Sequence, residues 1–160
     1  MYKFGKTSKV RLATCHKDIQ VIMNTAISLS NVDFGIAEGE RSLAKQLQYF
    51  NEGKSKIDGI NKKGQHQLGK IDGVKKKGKH NYSPSLAADI YPYFENGAKW
   101  DNEHLSYLSG IIHAVSEILF NTGKITHKIR WGGNWDMDGI ILIDQSFDDR
   151  PHFELVLPRQ

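Results

Sequence analysis

The order of helical and strand-like patterns along the chain restricts its fold more than any other feature of the sequence. Apolar residues recur at helical spacing in 18–29 and, most regularly, in 101–120. Apolar residues recur in strand-like runs at 32–36, 86–94, 124–131 and 152–157. Helices come early and centrally, and the strands between and after them do not form repeating βαβ units. This order predicts an α+β fold, in which helices pack on a small, mainly antiparallel sheet.

A further, shorter helix is predicted after Ser42. The side chain of Ser42 can cap the first turn, and Gly53 can end the helix in a left-handed conformation. Because Leu43, Leu47 and Phe50 recur at helical spacing, we expect these three side chains to form its buried face.

A lysine- and glycine-rich segment at about 54–79 interrupts these patterns. The sequence KIDGI at 56–60 returns as KIDGV at 70–74, and each copy of this repeat ends in a histidine, His66 or His80. The segment contains few large apolar residues, so we predict an extended surface loop or a loose hairpin. A loop of this length in a compact domain is often functional or mobile.

Composition and charge limit the class of protein. The chain has 160 residues, which is most simply one domain spanning 1–160. The net charge of +4 suggests an anionic partner, such as nucleic acid, a membrane surface or an acidic polymer. Cys15 is the only cysteine, which excludes an internal disulfide and a zinc site built from cysteines. The N-terminus lacks the apolar region of a signal peptide, and no apolar run is long enough to span a membrane, so we expect a soluble cytoplasmic product.

Among the seven histidines, His80 and His152 have the most informative neighbours. A turn containing Pro84 can bring His80 close to Asp89 in the following strand, and His152 begins the last strand shortly after Asp149. Two neutral imidazoles and one carboxylate form a common catalytic zinc set, and a further carboxylate can move the proton of a water molecule. Spacing alone leaves another interpretation open, in which His80 is a solvated loop residue and His152 bonds to the backbone.

The first copy of the repeat contains a competing pair, His66 and Asp72. Asp72 is followed by Gly-Val-Lys-Lys-Lys, which cannot continue as a buried strand, whereas Asp89 is followed by Ile-Tyr-Pro-Tyr-Phe. Because a metal ligand needs rigid support from the residues around it, we choose His80 over His66.

Four segments of the chain carry a resemblance to a known family. They are the helix-to-strand region 4–42 that ends in Gly-Glu-Arg-Ser, HNYSPSLAADIYPY at 80–93, IRWGGNWDMDG at 129–139 and DDRPHFEL at 148–155. In this order they resemble the DD-carboxypeptidase-like zinc peptidases, and among these the phage endolysins that act as L-alanyl-D-glutamate peptidases. The resemblance covers nearly the whole chain. It implies the hedgehog-like α+β fold of DD-peptidases, in one domain without a separate cell-wall-binding domain.

The resemblance also implies a role for individual residues of the centre. One Zn²⁺ per chain would be bound by His80, Asp89 and His152, and Asp149 would be the catalytic base. Two histidines and a carboxylate with open positions also suit other divalent metals, so the metal loaded in the cell stays open.

Further residues of the cleft are implied in the same way. Arg41 matches an arginine that holds the substrate and stabilises the oxyanion, which agrees with the use of a fixed guanidinium against developing negative charge. Ser42 and Gln46 are expected to line the same cleft and contact the substrate.

The function implied is a zinc-dependent endolysin that hydrolyses the stem peptide of bacterial peptidoglycan, at the L-Ala–D-Glu bond, during lysis of a host by a phage. Peptidoglycan is then the expected partner of a monomeric, antimicrobial enzyme that neither binds nucleic acid nor inserts stably into membranes. Without a signal peptide, the protein would be made in the host cytoplasm and act on the cell wall after a membrane-permeabilising partner releases it.

Two other functions remain open at this level. The first is a D-alanyl-D-alanine carboxypeptidase of the same family. The second is a catalytically inactive basic module that binds wall polymer or nucleic acid, as the lysine-rich repeat suggests. Against nucleic acid, the repeat has no interleaved aromatic residues on which bases could stack.

Overall fold

A computed structural model describes residues 1–55, 78–139 and 147–158 of the chain. The predicted lysine-rich loop at about 54–79 therefore falls largely outside the described residues, and so do His66 and Asp72.

The described residues form the predicted helices and strands in the predicted order, with one further helix near the start and one further short strand. The helices are α1 (Lys6–Leu12), α2 (Lys17–Leu29), α3 (Leu43–Asn51) and α4 (Asn102–Asn121). The strands are β1 (Phe34–Glu38), β2 (Ala87–Phe94), β3 (Gly97–Ala98), β4 (Lys128–Trp131) and β5 (His152–Val156). A single 3₁₀ turn, Lys79–Asn81, precedes β2. The predicted α+β class is confirmed.

The strands form one antiparallel sheet in the order β1–β2–β5–β4, and the short β3 pairs with the far end of β2. The register sets Asp89 of β2 opposite His152 of β5 on one side and opposite Glu38 of β1 on the other. Backbone pairing thus brings together polar residues that are far apart in the sequence.

The hydrophobic core lies on one face of this sheet, where α2 and α4 pack against each other. Ile22 from α2, Ile112 from α4 and Ile90 from β2 are all fully buried. Burial of one such side chain contributes about 1.5–3 kcal/mol, so this layer holds the sheet in place. Among the described residues, none of the helices combines the length and apolarity needed to cross a membrane.

Helix α3 begins as predicted but buries a different face. The hydroxyl of Ser42 accepts a hydrogen bond from the backbone N–H of Lys45, and Gly53 follows the helix with a positive φ of 72°. The predicted burial of Leu43 is wrong, because its side chain is 43% exposed. Gln46 is buried instead, since its amide bonds to charged and polar groups of the cleft described below.

A buried carboxylate joins the start of α2 to the start of β4. Asp18 is 2% exposed, and its Oδ2 accepts hydrogen bonds from Nδ1 of His127 at 2.8 Å and from the backbone N–H of Thr126 at 3.0 Å. The hydroxyl of Thr126 and the backbone N–H of His127 donate to the same oxygen. Burial alone would raise the pKa of Asp18, but these bonds outweigh it and lower the pKa below its usual value.

We expect Asp18→Asn to lower the free energy of unfolding by about 1–3 kcal/mol at pH 7, because buried donors lose a charged acceptor. A lowered folded-state pKa means that this stabilisation is present above the unfolded-state pKa of about 3.9. It is lost as pH falls through the folded-state pKa, so the difference between variant and wild type should shrink in acid. Urea unfolding at pH 7 and near pH 3 measures both values.

Asp33→Asn is the matched control, because burial raises the pKa of Asp33. Its charge opposes folding at neutral pH, so removal of that charge should be neutral or slightly stabilising. An equal loss of stability in the two variants would contradict the role of Asp18.

Candidate metal centre

Three side chains from three elements meet at one point above the middle of the sheet. His80 comes from the 3₁₀ turn, Asp89 from β2 and His152 from β5. Nε2 of His80 lies 3.1 Å from Oδ1 of Asp89 and 3.1 Å from Nδ1 of His152. Nδ1 of His152 lies 3.0 Å from the same carboxylate oxygen. Each residue therefore offers one ligand atom to a common centre.

The second ring nitrogen of each histidine is held by an acceptor. Nδ1 of His80 lies 2.6 Å from the carbonyl oxygen of Gly39, which can only accept, so this nitrogen carries the hydrogen. Nε2 of His152 lies 3.1 Å from Oε2 of Glu154, which is likewise an acceptor when ionised. In its neutral form, each imidazole consequently turns a lone pair towards the centre, as metal-binding histidines do.

The donor set fits a divalent cation. Two lone-pair nitrogens and one carboxylate oxygen within 3.1 Å of one another repel unless a positive charge lies among them. A proton on His152 can supply this charge in place of a cation: burial disfavours it, but the bonds to Asp89 and Glu154 outweigh burial and raise the pKa of His152 to about 10. The pocket therefore stabilises positive charge, and its ligand types are those of zinc and of other divalent metals.

A second group of two histidines and one aspartate is present, but its carboxylate is already used. His16, Asp18 and His127 lie within ligand distance of one another. However, Oδ2 of Asp18 accepts the four hydrogen bonds that join α2 to β4, and Nδ1 of His16 accepts from the backbone N–H of Asp18. The hydrogen bonds of Asp18 therefore give this second group a structural role. The ligand atoms of His80, Asp89 and His152 instead face one another around a common centre.

Asp149 reaches the centre from the turn before β5. Its backbone N–H donates to the carbonyl of Gly132 at 3.0 Å, and its carbonyl accepts from the N–H of His152 at 3.0 Å. A Cβ at position 132 would lie 2.1 Å from the carbonyl oxygen of Asp149, so glycine is required for this approach. Burial raises the pKa of Asp149, which makes its carboxylate a stronger base than an exposed one.

Arg41 is fixed beside the centre by three side chains. Its Nε donates to Oε2 of Glu38 at 2.9 Å, and its Nη1 donates to Oε1 of Gln46 at 3.0 Å. Its Nη2 reaches Oδ2 of Asp89 at 3.3 Å. The backbone N–H of Arg41 also donates to the carbonyl of His80, which ties the two segments together. The guanidinium is thus a rigid cation next to the proposed ligands.

The residues predicted for the cleft are not all found there. A cleft of about 1520 Å³ runs over the centre, and Arg41, Gln46 and Asp149 line it with the three candidate ligands. Ser42 is not among the residues that line it, since its exposed hydroxyl caps α3. The substrate-binding role predicted for Ser42 therefore has no support from this geometry.

Four residues around the centre were not predicted from the sequence to belong to it, or had only a weak signal there. Glu38 and Gly39 lie at the end of β1, where a carboxylate placed three residues before Arg41 could have indicated an ion pair. Glu154 shares the strand face of His152 by alternation, which is a weak signal for the hydrogen bond observed. Arg130 of β4 donates to Oε1, the other oxygen of Glu154. Burial alone would raise the pKa of Glu154, but the hydrogen bond with His152 and the charges of His152 and Arg130 lower it to about 2.

Comparisons with known proteins place the chain in one enzyme class. The sequence profile of the family described as phage L-alanyl-D-glutamate peptidase matches residues 1–156. The L-alanyl-D-glutamate peptidase of Escherichia phage T5 is 28% identical over 158 residues, which cover 97% of this chain and 98% of that protein. The crystal structure of Serratia marcescens L-Ala D-Glu endopeptidase ChiX matches with a TM-score of 0.66 at 20% identity. That match covers 97% of this chain and 90% of the other, and it shows a shared fold.

We expect Glu154→Gln to weaken zinc binding by about tenfold or more, because Glu154 orients His152 and partners of this kind matter at metal sites. Competition with a chelating dye measures the dissociation constant. Glu103→Gln is the matched control, since Glu103 is exposed in the first turn of α4. Equal zinc affinities in the two variants would show that Glu154 does not support the ligand.

Proposed function

We propose that this chain, a member of the phage L-alanyl-D-glutamate peptidase family that hydrolyses peptidoglycan stem peptides, uses one zinc ion for this reaction. The ligands of the zinc ion are His80, Asp89 and His152. The observation that carries the proposal is the convergence of Nε2, Oδ1 and Nδ1 of these residues within 3.1 Å of one another. The bond cleaved is the one between L-Ala and D-Glu. When bound, the zinc ion polarises a carbonyl group and makes a water molecule acidic near neutral pH.

Asp149 serves as general base and then as general acid. It takes a proton from the attacking water and delivers it to the nitrogen of the leaving D-Glu residue. Burial supports this role, because it raises the pKa of Asp149 and so makes its carboxylate a stronger base. The close approach at Gly132 holds the carboxylate in position for both transfers.

Arg41 stabilises the negative charge that develops on the carbonyl oxygen. Its guanidinium is held by Glu38 and Gln46, so it needs no reorganisation when the charge appears. Gln46 contributes by holding the guanidinium of Arg41 in position and need not touch the substrate.

The proposal also covers the domain organisation of the enzyme and the place where it acts. The whole machinery lies in one domain, because the residues that build the centre run from Glu38 to Glu154. The protein acts on the cell wall, as a monomer, after synthesis in the host cytoplasm and release by a membrane-permeabilising partner.

Digestion of purified peptidoglycan tests the proposal. The zinc-loaded protein should produce new free N-terminal D-Glu, detected by mass analysis of the fragments, and a chelator should abolish this activity. His152→Ala should lose both the zinc and the activity. Released D-Ala without new N-terminal Glu would instead indicate a D-alanyl-D-alanine carboxypeptidase, and a zinc-loaded protein that cleaves nothing would refute the enzyme.

Asp149→Asn should retain zinc but lower kcat by about two orders of magnitude or more, as expected when a general acid–base group is lost. Metal analysis and turnover on purified stem peptide measure the two effects. Asp148→Asn is the neighbouring control, because Asp148 pairs with Arg150 and is not among the residues that line the cleft. Similar losses of kcat in both variants would remove Asp149 from the mechanism.

A further inference from the structure

Aromatic side chains extend the cleft away from the metal centre along β2. Asp89, Tyr91 and Tyr93 point to the same face of the strand, because the residues between them are buried. Trp100, just after β3, packs on Tyr91 with 5.7 Å between the ring centroids. Tyr91 and Tyr93 are 6.3 Å apart by the same measure. A candidate zinc ligand and an aromatic surface therefore share one face of one strand.

This aromatic surface, formed by Tyr91, Tyr93 and Trp100, is open to solvent. Trp100 is 57% exposed and Tyr93 is 48% exposed, and both Tyr91 and Trp100 line the cleft that contains the centre. The ring of Tyr91 lies against β1 at Gly35, where a Cβ would come within 2.4 Å of it. Clusters of exposed aromatic side chains that are fixed by packing, as these are, are typical of binding surfaces.

We propose that the aromatic surface binds the sugar to which the stem peptide is attached, an N-acetylated hexosamine of the glycan strand. This inference rests on the proposed function. The C–H groups on the face of a sugar ring carry a small positive charge, and they stack on the negative face of an aromatic ring. The surface is next to the centre, so it can hold the sugar while the peptide is cleaved.

The length of the substrate is compatible with the spacing of residues along β2. In peptidoglycan the L-Ala nitrogen is joined to the sugar through a lactyl group, so two residue-like units separate the scissile carbonyl from the ring. Two such units span at most about 7 Å. Asp89 and Tyr91 are two residues apart on an extended strand, so their Cα atoms are about 6.5 Å apart. A carbonyl group held near Asp89 therefore allows the sugar to reach Tyr91, on which Trp100 packs.

The direction of the substrate follows from the position of Asp149. The leaving nitrogen must lie near Asp149, which contacts Gly132 at the end of β4. In the sheet order β1–β2–β5–β4, the aromatic surface on β2 lies on the other side of β5. The D-Glu part of the substrate thus faces β4, and the L-Ala part with its sugar faces β2.

The test compares two substrates that differ only in the sugar. One is a stem peptide joined through its lactyl group to N-acetylmuramic acid, and the other is the same peptide with an acetylated L-Ala nitrogen. We expect wild-type protein to show a higher kcat/KM on the sugar-linked substrate. Trp100→Ala should lower the ratio of the two kcat/KM values about three- to tenfold, in line with the strength of aromatic stacking. Trp100→Phe keeps an aromatic face and should keep most of this ratio.

Tyr107→Ala is the matched control, because Tyr107 is similarly exposed on α4 and is not among the residues that line the cleft. It should leave the ratio unchanged. Equal kcat/KM values of the wild type on both substrates, or an equal loss on both in Trp100→Ala, would overturn the sugar site while the peptidase activity stands. A zinc-loaded wild type that cleaves neither substrate would overturn the proposed function itself.

Discussion

The antiparallel pairing of β2 with β5 is the constraint on which the rest of the site depends. Its register sets Asp89 opposite His152, although the two residues are 63 positions apart in the chain. Directly opposed residues project to the same face, so both side chains reach one point without depending on a loop. His80 joins them from the 3₁₀ turn that precedes β2. A shift of one residue in this register would turn the polar side chains of one strand into the hydrophobic core. Because that shift would also expose the apolar side chains of the strand, the core fixes the register on which the centre depends.

The charged side chains around the centre hold one another in position through hydrogen bonds. Glu154 lies between His152 and Arg130, and Glu38 holds Arg41. A buried carboxylate is costly unless it is paired, so these pairs favour one arrangement of the side chains around the centre. The orientation of an imidazole and of a guanidinium is therefore set before any substrate arrives, which is the preorganisation that catalysis of acyl transfer requires.

Most helices and strands can be predicted because their patterns are local. The alternation of β2 reflects its buried face, and the spacing of α4 reflects its stripe against the sheet. Helix α3 is an exception, since Leu43 is exposed and Gln46 is buried. Apolar spacing predicts burial only when a hydrophobic layer lies beside it, whereas the buried side of α3 meets the charged groups around Arg41.

The sequence by itself determined the order of the elements, the family resemblance and the residue types that could hold a metal, because these depend on spacing and chemistry along the chain. Only the tertiary structure decided which nitrogen of each histidine faces the centre. It also decided that Glu38 binds Arg41, that Gly39 binds His80 and that Glu154 binds His152. The position of Tyr91 in the wall of the cleft was decided in the same way. Those features arise from contacts between distant segments. Such contacts are set by sheet register and core packing, which leave no fixed spacing in the sequence.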